Sequence, residues 1–334
     1  MGRISGALKL ASLYRAYLTR SQTVGRLPTR VWIEPTPSCN FRCGHCPNGM
    51  SVKFPTGLMK MELFRRLVNQ LDGATEEVNL FHRGESLIHP ELEEMVAICA
   101  GKGMRTRLHT NAGLLTEDRA RGLIKAGLSY ISFSVDGYTK ETYDKARLGG
   151  DFHETVANIQ GFLRIKKEFG GAKPFTIIQV MELGEQEEGK ELRRAEFKNL
   201  FHALPLDRFV VRTPHNWAGD AAKYGQGLAE GESSPRSITP CTFLWYSMTF
   251  FFNGTVAPCP QDFFGKLRVG DASKDPVSMI WNGEPQRRLR SLMKSGQVDE
   301  LVPCRTCDIL TRKTFMGVPS NYLSTFIKDN LLVR

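Results

Sequence analysis

Between residues 31 and 212 the chain alternates strand-like and helix-like segments six times, and this alternation limits the possible folds more than any other feature. Runs rich in β-branched and aromatic residues are each followed by a segment with helical spacing of apolar residues. Strands joined in series through helices run parallel, with right-handed crossovers. Six units are too few to close an eight-stranded barrel, so we predict an α/β fold with an open, partial (β/α)6 barrel. Functional side chains are then expected beyond the carboxyl ends of the strands.

The segments that carry this prediction are short and well separated. The predicted strands are Val31–Glu34, Glu77–Phe81, Met104–His109, Tyr130–Val135, Phe175–Met181 and Arg208–Arg212. The predicted helices cover residues 60–71, begin at Pro90 and at Thr116, and cover residues 154–167 and 188–201. Further on, the aromatic run Trp245–Phe252, the turn Asn253-Gly254 and the return strand Thr255–Ala257 predict a β-hairpin.

Composition divides the chain into five parts. We predict an N-terminal extension over 1–30, a core over 31–216, a Gly- and Ser-rich linker over 217–240, a second domain over 241–310 and a tail over 311–334. The net charge is +10, and residues 1–30 contain six basic and no acidic residues. Apolar residues at near-helical spacing over 4–18 predict a basic amphipathic helix. This helix could dock on an acidic membrane surface, on an acidic flavodoxin-type reductant or on the barrel itself, and we favour packing across the barrel's open end over docking on a membrane.

The remaining composition excludes several classes of protein. No apolar run reaches the roughly 18 residues that span a bilayer. Lys9 and Arg15 interrupt the N-terminal apolar residues, so no secretory signal is expected. We therefore expect a cytoplasmic location. The basic residues are not interleaved with aromatic ones in a known nucleic-acid motif, so no nucleic-acid partner is expected.

Seven of the eight cysteines fall into two groups. Cys39, Cys43 and Cys46 form a C-x3-C-x2-C motif directly after the first predicted strand. Without a secretory signal such clusters indicate metal rather than disulfides. Three thiolates can hold three irons of a 4Fe–4S cube and leave the fourth iron for a substrate, whereas cubane clusters normally have four cysteine ligands. The alternatives are a three-cysteine zinc site or unrelated buried thiols.

This motif and its position resemble those of the radical SAM superfamily. The resemblance implies that Cys39, Cys43 and Cys46 bind a catalytic 4Fe–4S cluster whose open iron is chelated by S-adenosyl-L-methionine (SAM). It also implies reductive cleavage of SAM to a 5′-deoxyadenosyl radical and a flavodoxin- or ferredoxin-type electron donor. Further positions match family segments that contact SAM: His45, Gly84, Glu85, Asn111, Ser134, Arg147 and Gln179.

The resemblance gives these residues separate roles. Glu85 would accept a hydrogen bond from the SAM ammonium and Arg147 would bind the SAM carboxylate. Ser134 would contact the ribose or carboxylate and Gln179 the ribose, while His45 stands where an aromatic residue usually packs near adenine. The segment Phe81-His82-Arg83-Gly84-Glu85-Ser86 departs from the family's Gly-Gly-Glu-Pro at two flanking positions. Glu85 could instead be a solvated surface acid, and Asp136 either a ligand or a turn-stabilising residue.

The second group consists of Cys241, Cys259, Cys304 and Cys307, with the last two in a C-x2-C motif. Together with the intervening sequence it resembles SPASM/twitch domains, most closely the single-cluster type of 2-deoxy-scyllo-inosamine dehydrogenase. Four ligands fill one auxiliary 4Fe–4S cluster completely, so two 4Fe–4S clusters are implied. The alternative is a structural zinc, although such sites usually use two C-x2-C knuckles. Cys99 lies in the apolar face of a predicted helix and is expected in the core.

The cysteine inventory suggests the reaction. A fully ligated auxiliary cluster could accept an electron from a substrate radical, and no thiol remains to return a hydrogen atom. We therefore expect oxidation of a carbon of a small polar substrate, such as a sugar, an aminocyclitol or a nucleotide-linked sugar. One alternative is a peptide-modifying SPASM maturase, which is disfavoured because only about 30 residues precede the core, too few for a leader-binding domain. The other is a non-catalytic iron–sulfur electron carrier. Candidate substrate contacts, which could equally be linker residues, follow the sixth strand at Arg212, His215, Asn216 and Trp217.

Overall fold

A computed structural model describes residues 11–49, 54–212 and 239–311, together with the backbone of 314–315 and 318–319. Its strands are β1 (Arg30–Ile33), β2 (Glu77–Asn79), β3 (Arg105–Thr110), β4 (Tyr130–Ser134), β5 (Phe175–Val180), β6 (Arg208–Val211), β7 (Ser247–Phe250), β8 (Thr255–Ala257), β9 (Gly270–Asp271), β10 (Thr314–Phe315) and β11 (Val318–Pro319). The first nine form one sheet in the order β6-β5-β4-β3-β2-β1-β7-β8-β9. The last two pair with each other.

Helices follow most core strands, as the alternating pattern predicted. Helix α1 includes residues 11–18. The others are α2 (Met61–Leu71), α3 (Leu92–Gly101), α4 (Glu117–Lys125), α5 (Lys140–Ala146), α6 (Phe152–Glu168), α7 (Lys190–Asn199), α8 (Phe243–Tyr246), α9 (Val277–Trp281), α10 (Glu284–Ser295) and α11 (Val302–Arg305). Short 3-10 turns occupy Pro47–Gly49, Ser86–Ile88, Val298–Glu300 and Asp308–Thr311.

The prediction of an α/β partial barrel is confirmed. Strands β1 to β6 pair in parallel, and each predicted core strand is present within two residues of its predicted limits. Alternate strand residues such as Val31, Leu108 and Ile131 are buried in one apolar core with the helices. The residues between them, including Trp32, Arg107 and Tyr130, face the opposite, concave side of the sheet because side chains alternate along a strand. The concave side is therefore where the polar residues of the strands gather.

The C-terminal region extends the same sheet. Strand β7 pairs in parallel with the far edge of β1, and Glu34 N donates a hydrogen bond to Phe250 O at 2.9 Å. The predicted hairpin is present, with β8 returning antiparallel to β7 through Gly254 at φ 90°. The predicted start of its first strand was wrong, because Phe243–Tyr246 forms a helical turn whose aromatic side chains pack into the cores. The parallel β1–β7 pairing joins the two cysteine-bearing parts of the chain into one sheet.

Local signals explain several helix limits. Thr116 caps α4, since its side chain accepts a hydrogen bond from Arg119 N. Asp151 caps α6 in the same way through Glu154 N. Helix α5 was not predicted, although Thr139 begins it with a reciprocal capping box.

The N-terminal segment packs onto the protein itself. Leu13 and Tyr17 are each 3% exposed, and the Tyr17 ring meets the Trp245 ring edge-on at 5.6 Å. Tyr17 also donates a hydrogen bond to Pro240 O at 3.0 Å. Part of the apolar face predicted over 4–18 is therefore covered by the C-terminal region. Among the described residues, no helix is both long enough and apolar enough to cross a bilayer.

Candidate active site

The loop that carries the first three cysteines runs from β1 over the carboxyl ends of β2 and β3. Phe41 N approaches Cys39 Sγ at 3.5 Å, and Cys46 N donates to Cys43 O at 3.1 Å. Burial, with a smaller contribution from the neighbouring thiols, raises the pKa of Cys39 to about 11 and that of Cys46 to about 12. The loop thus gathers three neutral thiols at the end of the barrel where functional groups were expected.

Gly84 allows this loop to lie directly on the end of β2. A Cβ atom at Gly84 would stand 2.3 Å from Ser38 O and 2.5 Å from Thr36 O, so any larger residue would displace the loop. Glu85 N donates to Ser38 O at 2.9 Å, and Asn48 Nδ2 donates to both Pro37 O and Arg83 O. The segment after β2 therefore positions the backbone on both sides of the cysteines.

Glu85 is buried rather than solvated. Its carboxylate accepts hydrogen bonds from Leu87 N at 3.1 Å and Asn111 N at 2.8 Å. Burial raises the pKa of Glu85 because it disfavours the charged form, and the two backbone hydrogen bonds and the charge of Arg147 offset only part of that rise. Asn111 in turn donates from Nδ2 to Asn40 Oδ1 at 2.9 Å and lies 3.8 Å from Cys39 Sγ. Glu85 and Asn111 thus join the ends of β2 and β3 to the cysteine loop.

Arg147, Asp136 and His45 form a second polar group beside the cysteines. Arg147 pairs with Asp136 at 2.5 Å, and His45 Nε2 lies 3.1 Å from the same carboxylate. Arg147 Nη1 approaches Cys43 Sγ at 3.9 Å, while its Nε is buried without a hydrogen-bond partner. Burial raises the pKa of Asp136, but the charge of Arg147 outweighs it and the pKa lies below its usual range. The sequence left a ligand role and a turn-stabilising role open for Asp136. In the structure its carboxylate forms an ion pair with Arg147.

Ser134 and Gln179 are register partners on β4 and β5 and are both partly exposed on the concave side. Of the proposed substrate contacts, Arg212 follows β6, and its N donates to Val180 O at 2.8 Å. His215, Asn216 and Trp217 lie outside the described residues.

The four C-terminal cysteines line a single cavity. Apart from Gln261 and Asp262, its other walls are apolar: Phe243, Leu267, Pro303, Ile309 and Leu310. Burial raises the pKa of Cys259 well above its usual value, and the three other thiols of the cavity add to that rise. Cys99 lies on α3, fully buried and away from both groups, as predicted.

A buried ion pair links the two cysteine sites, and the sequence analysis missed it. Arg83 donates from Nε and Nη2 to the two carboxylate oxygens of Glu34, at 2.6 and 2.7 Å. Its guanidinium lies over the Phe251 ring at 4.2 Å, and Phe252 N donates to Glu34 Oε1 at 3.2 Å. Next to it, His82 Nε2 is 3.0 Å from the carbonyl oxygen of Pro260, which follows Cys259. The one signal in the sequence was Arg83, a charged residue where the family's Gly-Gly-Glu-Pro segment has glycine.

Comparison with known proteins decides the family. A model of the radical SAM superfamily matches residues 33–188, and a model of the SPASM iron–sulfur cluster-binding domain matches residues 241–308. The chain belongs to the radical SAM superfamily. It is a radical SAM enzyme with a C-terminal SPASM domain, and this family uses SAM with a 4Fe–4S cluster.

Similar radical SAM proteins are distant from this chain. An AdoMet-dependent heme synthase of Methanosarcina barkeri is 25% identical over 79% of the chain and 85% of that protein. The S-adenosyl-L-methionine-dependent 2-deoxy-scyllo-inosamine dehydrogenase of Niallia circulans is 22% identical over 86% of the chain and 96% of that protein. The crystal structure of BtrN with AdoMet and 2-DOIA has a TM-score of 0.57 at 19% identity, over 85% of this chain and 94% of BtrN. These likenesses support the fold.

Both cysteine groups fit iron–sulfur clusters by the chemistry of their donors. Backbone and side-chain N–H groups approach Cys39 and Cys43, and donors of this kind stabilise the negative charge of cluster thiolates. A tetrahedral zinc would require four sulfurs about 2.3 Å from one point. Among the described residues no three His, Cys, Asp or Glu side chains are arranged to hold a single metal ion. The four C-terminal thiols surround a cavity, which suits a cluster better than one ion.

Proposed function

We propose that the protein is a radical SAM dehydrogenase that oxidises a carbon of a small polar substrate by two electrons. The substrate class is a sugar, an aminocyclitol or a nucleotide-linked sugar. Cys39, Cys43 and Cys46 would hold the SAM-cleaving 4Fe–4S cluster, and Cys241, Cys259, Cys304 and Cys307 an auxiliary 4Fe–4S cluster. When bound, the first cluster and SAM would supply a radical that takes one hydrogen atom, and the second cluster would accept the remaining electron while a proton is released to water.

The chain's own residues would bind and orient SAM. Glu85 is held by two backbone N–H groups, so its carboxylate is fixed before an ammonium group arrives. An ammonium beside it would favour the ionised form that burial now disfavours. Arg147 is held by Asp136 and keeps one buried donor without an acceptor, which suits the SAM carboxylate. Ser134 and Gln179 lie side by side on the concave face, where a ribose could contact both.

The observation that carries the proposal is the convergence of exactly four thiols on one cavity. Four cysteine ligands saturate a cubane cluster, so such a cluster could accept an electron without binding substrate. The eighth cysteine, Cys99, is a fully buried residue of α3 and cannot return a hydrogen atom to a substrate radical. Oxidation is thereby favoured over epimerisation. The distant relative named as a 2-deoxy-scyllo-inosamine dehydrogenase agrees with an oxidative reaction.

The test combines metal content with product analysis. Anaerobic reconstitution should give about eight irons per chain, and replacing Cys39, Cys43 and Cys46 by Ala should leave about half. Cys304→Ala should abolish product yet still permit SAM cleavage to 5′-deoxyadenosine. The product should be two hydrogen atoms lighter than the substrate, with one SAM consumed per turnover. Four irons or fewer together with zinc, or a product of unchanged mass that carries one solvent deuterium, would contradict the proposal.

The electron donor is the remaining partner of this reaction. We propose a flavodoxin- or ferredoxin-type reductant, because cleavage of SAM needs a single low-potential electron. Replacing a chemical reductant by a purified flavodoxin with its reductase should sustain 5′-deoxyadenosine formation. If neither a flavodoxin nor a ferredoxin sustains the reaction under conditions where the chemical reductant does, this assignment is refuted.

A further inference from the structure

The concave face of the sheet carries a row of side chains at one level across six neighbouring strands. Register pairing places them side by side, and we call them the lumen row: Thr249, Trp32, Asn79, Arg107, Tyr130 and Phe175. One level closer to the carboxyl ends, the register partners are His109, Ser132, Ile177 and Arg208. Neither row belongs to the cysteine groups or to the candidate SAM contacts. The two rows instead form the floor beneath them.

Among the described residues, several arginines on this floor share one carboxylate. Arg30, Arg105 and Arg107 all approach Glu77, at 2.9, 4.0 and 3.6 Å. A single carboxylate cannot neutralise both Arg105 and Arg107. The side chains of Arg105 and Arg107 are 40% and 19% exposed, so solvent or a ligand can reach them. Glu34, which follows β1 on this face, is already matched by Arg83.

The field of these arginines reaches the level below the SAM contacts. Burial, together with the charges of Arg107 and Arg212, lowers the pKa of His109 to about 3. His109 is therefore neutral, and its ring stacks on Phe81 with the centroids 4.1 Å apart. An ammonium group placed here would be repelled by the same charges, whereas an anion would be attracted.

Two buried hydroxyl groups on the same face point to a ligand independently. Ser132 Oγ and Thr249 Oγ1 have no hydrogen-bond partner, although Ser132 is 2% and Thr249 is 0% exposed. Buried polar groups nearly always have a hydrogen-bond partner. The hydroxyl groups of Ser132 and Thr249 therefore indicate positions where a ligand or water forms the missing hydrogen bonds. Trp32, Tyr130 and Phe175 supply flat, partly exposed surfaces beside them. The face thus combines cations, hydroxyls and ring surfaces.

The position of the floor suits a substrate rather than SAM. Arg107 lies four residues before Asn111 on β3, which corresponds to about 13 Å along an extended strand. A molecule bound by Arg107 could therefore extend toward the cysteine loop and present a carbon near the candidate SAM contacts. A sugar ring joined to a phosphate or carboxylate group has the required length.

We propose that the concave face binds an anionic substrate through Arg107, with a phosphate or carboxylate group at the lumen row. This inference rests on the proposed function and narrows it, because it favours phosphorylated, nucleotide-linked or acidic sugars over a cationic aminocyclitol. Arginine suits this role, since its planar guanidinium donates paired hydrogen bonds to either oxyanion. Arg107 is already oriented by Glu77 and by the Tyr130 ring, which lies 4.5 Å from its guanidinium.

The experiment measures ligand binding by the anaerobically reconstituted full-length enzyme with SAM present and no reductant. Titration calorimetry would compare inorganic pyrophosphate, citrate and glucosamine as phosphate, carboxylate and cationic probes. We expect saturable binding of one or both anions and weaker binding of glucosamine. Arg107→Gln should weaken anion binding about tenfold or more, the usual effect of losing a charged hydrogen bond, and Arg107→Lys should weaken it less. Arg65→Gln removes the same charge from an exposed pair with Glu94 and should change binding less than twofold.

The outcomes separate this inference from the proposed function. Equal losses in the Arg107 and Arg65 variants, tighter binding of glucosamine, or no saturable binding of either anion would overturn the anion site. A pyrophosphate response without a citrate response would assign a phosphate, and the reverse would assign a carboxylate. Formation of 5′-deoxyadenosine after adding reductant is scored separately in the same samples. Its persistence in a variant that has lost anion binding supports the site, because SAM cleavage and substrate binding then depend on different residues.

Discussion

The buried pair between Arg83 and Glu34 gives the sharpest prediction of stability. The Glu34 side chain is 0% exposed and that of Arg83 is 5% exposed. Burial raises the pKa of Glu34, but the two hydrogen bonds and the charge of Arg83, with His82 Nδ1 3.5 Å away, lower it from 4.5 to about 2. A difference of that size corresponds to about 3 kcal/mol of native-state stabilisation. Because the folded pKa is depressed, this contribution is present above pH 4.5 and is lost as the pH falls toward 2.

Arg83→Met should therefore leave a buried carboxylate unpaired. We expect the free energy of unfolding at pH 7.5 to fall by about 3–5 kcal/mol, the usual cost of breaking a buried pair. With a denaturant dependence of about 3 kcal/mol per molar, the urea midpoint of the reconstituted protein should drop by about 1 M or more. Tryptophan fluorescence reports the transition, since Trp245 and Trp281 are both buried. The double variant Glu34→Gln with Arg83→Met should recover part of the loss, because no unpaired charge remains.

The matched control is Arg65→Met, which removes an exposed pair with Glu94 and should cost less than about 1 kcal/mol. Equal small effects of Arg83→Met and Arg65→Met would refute the reasoning, since a buried charge cannot lose its partner at so little cost. A double variant less stable than Arg83→Met alone would also contradict it. In that case the guanidinium would stabilise the fold through its contact with the Phe251 ring rather than through Glu34.

Three further predictions concern single side chains. Gly84→Ala should displace Ser38 and lower iron incorporation and SAM binding, whereas Gly161→Ala, whose Cβ would meet nothing within 4 Å, should leave both unchanged. Thr116→Ala should lower the free energy of unfolding by about 1 kcal/mol through loss of the N-cap, measured by urea titration; no change would mean that the cap is dispensable. Cys99, whose pKa burial raises to about 12, should resist iodoacetamide at pH 8 until urea unfolds the protein, as followed by mass spectrometry; rapid labelling of the native protein would show it to be accessible.

The sequence predicts the fold well where each element carries its own signal. Strand β5 is rich in β-branched and aromatic residues, helix α6 has apolar residues at a spacing near 3.6, and Thr116 marks the start of α4. The turn at Asn253-Gly254 likewise fixed the hairpin. The helical turn at Phe243–Tyr246 was not predictable in this way, because a short aromatic run fits a buried strand or a buried helix equally.

The candidate site was also predictable only where local sequence patterns specify it. The cysteine motifs are local patterns, and their spacing predicted both groups that the structure brings together. The pairing of Arg147 with Asp136 joins residues 11 positions apart across an intervening helix, and no local rule selects that partner over a ligand. The pair between Arg83 and Glu34, and the sharing of Glu77 by three arginines, depend on strand register. Register is a tertiary property, which a single sequence does not reveal.

The parallel pairing of β7 with β1 has a consequence for engineering this chain. A fragment that ended after β6 would leave β1 as a bare edge of an otherwise parallel sheet, with its backbone N–H and C=O groups unpaired. Exposed edges of this kind recruit other chains and promote aggregation. Met248 and Phe250, which are fully buried in the intact protein, would be missing from that fragment and would leave part of its interior uncovered. The C-terminal region therefore cannot be exchanged between relatives by itself, and chimeras should take β1 and β7 from the same parent protein.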